Sequence, residues 1–309
     1  MITIDTTAAL LFIGLGNMGR PMAARLAQDR EVYVYDQSPE ARTATAQESG
    51  ATPLSNLGTL PGNIAAVILM LPNSQIVEAV LRQNPGILNR LRPGSMIIDM
   101  GSSEPGSTTV LAGEAGRRGV HYVDAPVSGG VARAITGELA IMAGGSDEAV
   151  DAARPLLESM GTSVVHVGPS GTGHAAKALN NLLSATNLAA AAEIICAAAS
   201  AGIAPHVMVD VINNSTGRSQ ATEVKYPKHI LPGSFDSGFA MDLMLKDLRI
   251  ARQLFESNGV EGPVVLTAQT IAENLRKQLD DPAPDHTELV KHYEQVNAVL
   301  IRDPRPIRQ

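Results

Sequence analysis

A lysine stands near the start of a long helical pattern, in Gly171-Thr-Gly173-His-Ala-Ala-Lys177-Ala-Leu-Asn180-Asn181. Lys177 and Asn181 are four residues apart, so a helix puts them on one face. Cations favour helix C-termini, which makes a lysine in the first turns out of place. A helix N-terminus and partial burial both lower an ammonium pKa, the condition for proton transfer near neutral pH. Taken alone, such a lysine is more simply a solvated surface group. A second constellation is Asp124-Ala-Pro-Val-Ser128-Gly129-Gly130, where a strand ends in a turn of small residues. Exposed backbone N–H groups and a serine hydroxyl suit a carboxylate. By texture alone, an ordinary loop is the better reading of that turn. Lys246-Asp247 is by itself a charged pair on an amphipathic helix. No metal site is expected.

Near the chain start, Gly14-Leu15-Gly16-Asn17-Met18-Gly19 follows an apolar run and opens a helical pattern through Met22 and Leu26. Gly14 allows a tight turn, Gly16 admits a pyrophosphate to the backbone, and Gly19 lets the helix pack on the strand. The helix N-terminus supplies N–H donors for phosphates. Asp36 ends the next apolar run, where a carboxylate reaches the adenosine ribose hydroxyls and repels the extra phosphate of NADP. NAD is therefore the expected cofactor. The competing reading is that Asp36, aided by Ser38, merely caps a helix beginning near Pro39.

These groups need a scaffold, and the pattern supplies one. Short β-branched runs at 10–14, 32–36, 65–71, 96–99 and 122–124 alternate with amphipathic segments. Several runs are apolar throughout, as in parallel strands covered on both faces. The expectation is an α/β chain: a Rossmann-type doubly wound sheet over 1–168, then an all-helical domain over 169–309. One long helix over 174–201 joins them, with further helices near 204–213, 239–257, 263–279 and 287–300. A ligand is expected between the two halves. The tail 302–309 is expected to be a loose end.

Bulk composition narrows the classes. The chain has 309 residues, 44% hydrophobic, only 3% aromatic and without tryptophan, so its cores are built from Ala, Val, Ile, Leu and Met. A net charge of -7 argues against nucleic-acid and anionic-membrane partners, which need a basic face. The one cysteine, Cys196, lies in an Ala-rich run and reads as a small buried hydrophobe. It can form no internal disulfide, which fits a reducing compartment. No stretch is expected to cross a bilayer, and the start lacks the pattern of a secretion signal, so the expected location is cytoplasmic. Amphipathic helices in the second half suggest a homodimer or homotetramer.

Taken in order, Phe12-Ile-Gly-Leu-Gly-Asn-Met-Gly19, Met70-Leu-Pro72, Ile98-Asp99, Asp124 to Gly130, Gly171 to Asn181 and Lys246-Asp-Leu248 resemble the β-hydroxyacid dehydrogenase family over nearly the whole chain. The resemblance implies hydride transfer between NAD and a small hydroxy acid, either 3-hydroxyisobutyrate-like or a sugar acid. It implies that Lys177 is the catalytic acid/base and that Asn181 assists it. Ser128, Gly129 and Gly130 would hold the substrate carboxylate. Leu71, Pro72 and Ser102 would line the cofactor with Leu15, Asn17 and Met18 of the glycine turn, and Lys246 would lie near the nicotinamide. Two departures stand out. Met100-Gly101 intervenes between Ile98-Asp99 and Ser102. The segment Asn214-Ser-Thr-Gly217-Arg218 looks like the sugar-acid members, which makes Arg218 a candidate contact for a hydroxylated substrate or simply a solvated arginine. The alternatives are an NADP-dependent decarboxylating dehydrogenase, an imine reductase, or a sensor that binds NAD without turnover. Asn180 replaces the histidine of the first, Lys177 is kept where the second lacks it, and the proton-transfer residues argue against the third.

Overall fold

A computed structural model describes residues 8–83 and 86–302. The alternating pattern folds in chain order as β1 (Ala9–Ile13), α1 (Gly19–Leu26), β2 (Val32–Tyr35), α2 (Pro39–Ser49), β3 (Thr52–Pro53), β4 (Ile64–Leu69), α3 (Ser74–Arg82), β5 (Met96–Asp99), α4 (Pro105–Gly116), β6 (His121–Asp124), β7 (Val127–Ser128), α5 (Gly130–Thr136), β8 (Leu139–Gly144), α6 (Asp147–Glu158) and β9 (Gly161–Gly168). The strands form one sheet in the order β3-β2-β1-β4-β5-β6-β8-β7, and β9 pairs with β8. Pairing is parallel from β3 to β6, and β8 runs antiparallel to β6 and β7. Every residue of β1 and β5 is buried. Alternation splits them between two cores, with Leu10, Phe12 and Ile98 on one face and Leu11, Ile13 and Ile97 on the other. Helices cover both faces because parallel strands require crossovers.

The chain divides into two compact units, Met1–Lys177 and Ala178–Gln309. Helix α7 (Thr172–Ser200) runs from the first unit into the second. The second unit continues with α8 (Pro205–Asn213), a π-helical segment (Ala221–Ile230), α9 (Met241–Ser257), α10 (Pro263–Arg276), a 3-10 turn (His286–Leu289) and α11 (Val290–Asn297). Its core gathers Leu182, Leu188, Ile195, Tyr226, Leu245, Leu248 and Val290. Cys196 is buried there, 2% exposed.

Two expectations need correction. Helix α7 is long and apolar enough to cross a bilayer by length and composition, with a mean hydropathy of 1.6 over its most apolar window. Lys177 and Glu193 are its only charged residues. Burial of 56% of that window inside the protein accounts for this composition, because the helix forms the core of the second unit. The expected helix over 287–300 divides into a 3-10 turn, capped by an Asp285–Glu288 capping box, and α11. The pattern also assigns no element to 220–238, where the π-helical segment forms around Pro227. Proline lacks an N–H and argues against a helix by local rules. Here tertiary packing prevails, and the Tyr226 hydroxyl donates to the Leu188 carbonyl at 2.8 Å. Residues 303–309 of the expected loose tail lie outside the described residues.

Candidate active site

The expected cofactor residues of the first unit all leave the C-terminal ends of parallel strands. The glycine turn follows β1, Asp36 follows β2, Leu71 and Pro72 follow β4, and Ser102 follows β5. Ligands bind in this crevice in open α/β sheets, where the strand order reverses. Gly14 has φ 98°, a left-handed conformation that favours glycine. A Cβ there would lie 2.9 Å from the Met70 carbonyl carbon, and one on Gly19 would lie 2.9 Å from the Gly14 carbonyl carbon. Both positions are closed to side chains. A Cβ on Gly16 would meet nothing within 4 Å, and Gly16 is exposed. The turn therefore offers open backbone at the one glycine assigned to the pyrophosphate. Asn17 is also exposed, Met18 is half-buried and Leu15 is buried.

Asp36 binds this turn. Its carboxylate accepts from the Leu15 N–H at 2.7 Å and from the Ser38 N–H at 2.9 Å. The cap of α2 is the Ser38 side chain, which accepts from the Ala41 N–H at 3.1 Å. Asp36 is thus not the helix cap. A carboxylate has about four lone-pair sites, so two N–H bonds leave capacity for ribose hydroxyls. The β4 and β5 loops touch as well. A Cβ on Gly101 would lie 3.4 Å from the Leu71 N and nearer still to its carbonyl oxygen, which sets Leu71 close to the Ser102 loop.

The turn of Ser128, Gly129 and Gly130 bridges β7 and α5. Gly129 has φ 136° and Gly130 φ 73°. A side chain at Gly129 would be strained and would press on Arg133, whose Cβ lies 3.0 Å from the ideal Cβ position. Ser128 pairs with Ala140 of β8. The first turn of α7 packs on the same strand, with the Met142 carbonyl closest to Gly173. Lys177 is half-buried one turn further along α7.

In the second unit, Asn181 is 8% exposed and its Nδ2 donates to Asp247 Oδ2 at 2.6 Å. A carboxylate only accepts, so this contact fixes the amide and turns Asn181 Oδ1 the other way. Lys246 Nζ lies 3.4 Å from Asp247 Oδ1. Arg218 is exposed in the connection after α8. Sequence reading did not single out Asp247 as the partner of Asn181, since 66 residues separate them. It also passed over a buried cluster of Asp99, Asp124 and His174 in the first unit. The one local signal was that both aspartates stand at strand ends.

Residues 9–168 match the family described as the NAD binding domain of 6-phosphogluconate dehydrogenase. Residues 171–293 match that described as the NAD-binding of NADP-dependent 3-hydroxyisobutyrate dehydrogenase. The chain is 38% identical to a 2-(hydroxymethyl)glutarate dehydrogenase of Eubacterium barkeri, over 94% of this chain and 96% of that one. It is 34% identical to an NAD-dependent L-serine dehydrogenase of Pseudomonas aeruginosa, over 87% and 92%. A 3-hydroxyisobutyrate dehydrogenase from Mycobacterium tuberculosis, solved with L-serine, superposes with a TM-score of 0.84 at 29% identity, covering 92% of this chain and 98% of that one. The chain belongs to the β-hydroxyacid dehydrogenase family, NAD-linked oxidoreductases that act on the CH–OH group of a hydroxy acid.

Proposed function

We propose that this enzyme oxidises a primary carbinol on the carbon next to a carboxylate, with Lys177 as acid/base. The carrying observation is that the glycine turn, Asp36, Leu71, Pro72 and Ser102 gather at the C-terminal edge of the sheet. The names of the relatives support the substrate class. A 2-(hydroxymethyl)glutarate, L-serine and 3-hydroxyisobutyrate all carry –CH2OH beside the carbon that bears the carboxylate. NAD, when bound, accepts or returns the hydride. Ser128 and the N–H groups of Gly129 and Gly130 hold the carboxylate and so place the carbinol, which is chiefly a positioning effect. The neutral Lys177 amine takes the hydroxyl proton, and its ammonium returns it in the reverse direction. Asn181 Oδ1, turned away from Asp247, accepts from the Lys177 ammonium or from the substrate hydroxyl. Lys246, paired with Asp247, is assigned to the nicotinamide end of the cofactor and Arg218 to substrates with extra hydroxyls.

The test is NADH formation with a panel of hydroxy acids and their amides, run with NAD and with NADP. Hydroxy acids should react and amides should barely react. Lys177→Ala should bind NADH like wild type and lose roughly 100- to 10,000-fold in kcat. Wild-type turnover in that variant would refute the assignment. We further propose a cytoplasmic homodimer or homotetramer formed through the helical unit. Leu183 and Ile194 of α7 and Val211 of α8 are each at least 50% exposed, an apolar surface that a second copy would cover.

A further inference from the structure

Between the strands and helix α7 lies a cluster of polar side chains shut away from solvent. Asp99 and Asp124 are 0% exposed and His174 is 1% exposed. Asp124 Oδ1 accepts from the Gly171 N–H at 2.8 Å, and Oδ2 accepts from the His174 N–H at 3.0 Å. One carboxylate therefore binds two N–H groups at the start of the helix that carries Lys177. Ideal Cβ atoms on Gly144 and Gly173 would lie 2.7 and 2.9 Å from that carboxylate, so both positions must be glycine for it to fit. The His174 ring is held by Thr108, with Nδ1 2.8 Å from Oγ1. Its Nε2 lies 3.8 Å from Asp99 Oδ2. Asp99 in turn accepts from the Gly101 N–H at 3.1 Å, the Ser103 hydroxyl at 3.0 Å and the Tyr122 hydroxyl at 3.2 Å.

Each member of the cluster is joined to a segment assigned to ligand binding. Gly101 and Ser103 flank Ser102 of the cofactor loop. Asp124 ends the strand that leads in four residues to Ser128. Gly171 and His174 begin the helix that presents Lys177. We infer that Asp124 is a positioning residue that registers the lysine against the carboxylate turn, with Asp99 and His174 extending the same register to the cofactor loop. The inference rests on Lys177 being the acid/base. Stability alone is a poor reason for the cluster, because buried ionic groups are often no better than well-packed apolar ones. Burial pushes the Asp124 carboxyl up, only partly offset by His174 and the helix N–H groups. What the cluster supplies is a fixed geometry, and a displacement of about 1 Å can cost about 100-fold in rate.

Asp124→Asn tests this with little change in volume. Its amide can accept from one of the two N–H groups, and its NH2 then faces the other as donor against donor. The expected result is a kcat loss of roughly 10- to 100-fold per NADH-binding site, with NADH affinity and substrate KM within about threefold of wild type. A deuterated carbinol should also show a larger isotope effect, as proton and hydride transfer become limiting. A purely structural role would reduce the amount of folded enzyme and leave both readouts unchanged. Thr108→Val, which removes the His174 ring contact and the hydroxyl's bond to the Glu104 carbonyl one turn back in its own helix, is the milder second variant and should lower kcat in the same sense. Wild-type kcat per site in both variants, alongside an inactive Lys177→Ala, would overturn the inference and leave the lysine assignment standing. An active Lys177→Ala would overturn both.

Discussion

Gly16 and Gly19 look equivalent in the motif, yet the structure predicts opposite consequences for the same added methyl. Gly16 has a φ outside the left-handed region and open space where its Cβ would go. Gly16→Ala should fold normally and gain up to about 0.4–1 kcal/mol from a less flexible unfolded chain. If the pyrophosphate approaches this backbone, the methyl pushes it away and breaks one charge-assisted hydrogen bond. Such a bond contributes about 1.5–3 kcal/mol, or roughly 10- to 150-fold in affinity. At Gly19 the new Cβ would press on the Gly14 carbonyl and lie 3.2 Å from Phe12 Cε1. Backbone cannot yield as a flexible side chain does, and overpacking of this kind costs about 1–3 kcal/mol. A domain of this size would lose roughly 2–12 °C in Tm. The assays are thermal unfolding of each apo variant and NADH titration followed by nucleotide fluorescence. Unchanged NADH affinity in Gly16→Ala would refute the cofactor role of this turn. Equal loss of Tm in the two variants would refute the steric reasoning.

Two further outcomes follow from single carboxylates. Asp36→Ser should narrow the preference for NAD over NADP by roughly 10- to 100-fold, mainly in cofactor KM, because a nearby charge no longer repels the extra phosphate; an unchanged ratio would remove Asp36 from cofactor selection. Burial would raise the Asp285 carboxyl, but hydrogen bonds from His286, Thr287 and Ser237 outweigh it and hold the group well below the usual carboxylate range. A depressed carboxyl contributes stability above its unfolded pKa of about 3.9 and loses it as pH falls toward the folded value. Asp285→Asn should therefore be less stable than wild type in urea at pH 7. The margin should shrink as pH falls from about 4 to about 2.5, below the range where the neighbouring His286 titrates, and a margin that grew over that interval would contradict the assignment.

What could be read from the chain alone was whatever obeys a local rule. The turn at Gly14 and the close helix–strand approach at Gly19 are local rules, and the apolar runs of β1 and β5 need only covering helices to explain them. Lys177 and Asn181 share a face because a helix repeats every 3.6 residues. The hidden parts of the site depend on partners far along the chain. Asp124 reaches Gly171 across 47 residues, and Asp247 reaches Asn181 across 66. No periodicity marks such pairs, and an aspartate at a strand end looks the same whether it faces water or caps a distant helix.

Gly171 and Gly173 stand out in the sequence, but their reason was no more legible than that of His174. Two glycines before a helix invite the idea of a ligand coming close. In the structure the close neighbours are protein: Pro105 and Thr109 against Gly171, and Met142 and Asp124 against Gly173. Gly173 makes room for a carboxylate supplied by the chain itself, and Gly171 for the Pro105 and Thr109 oxygens. That carboxylate takes the helix N–H bonds, and its neighbour His174 is drawn under cover with it. The lysine one turn later is half-buried at the edge of this closed cluster. With Lys177 as the proposed acid/base, Gly144 and Gly173 act indirectly, by letting the sheet hold the helix, and larger side chains at either position should lower kcat per NADH-binding site.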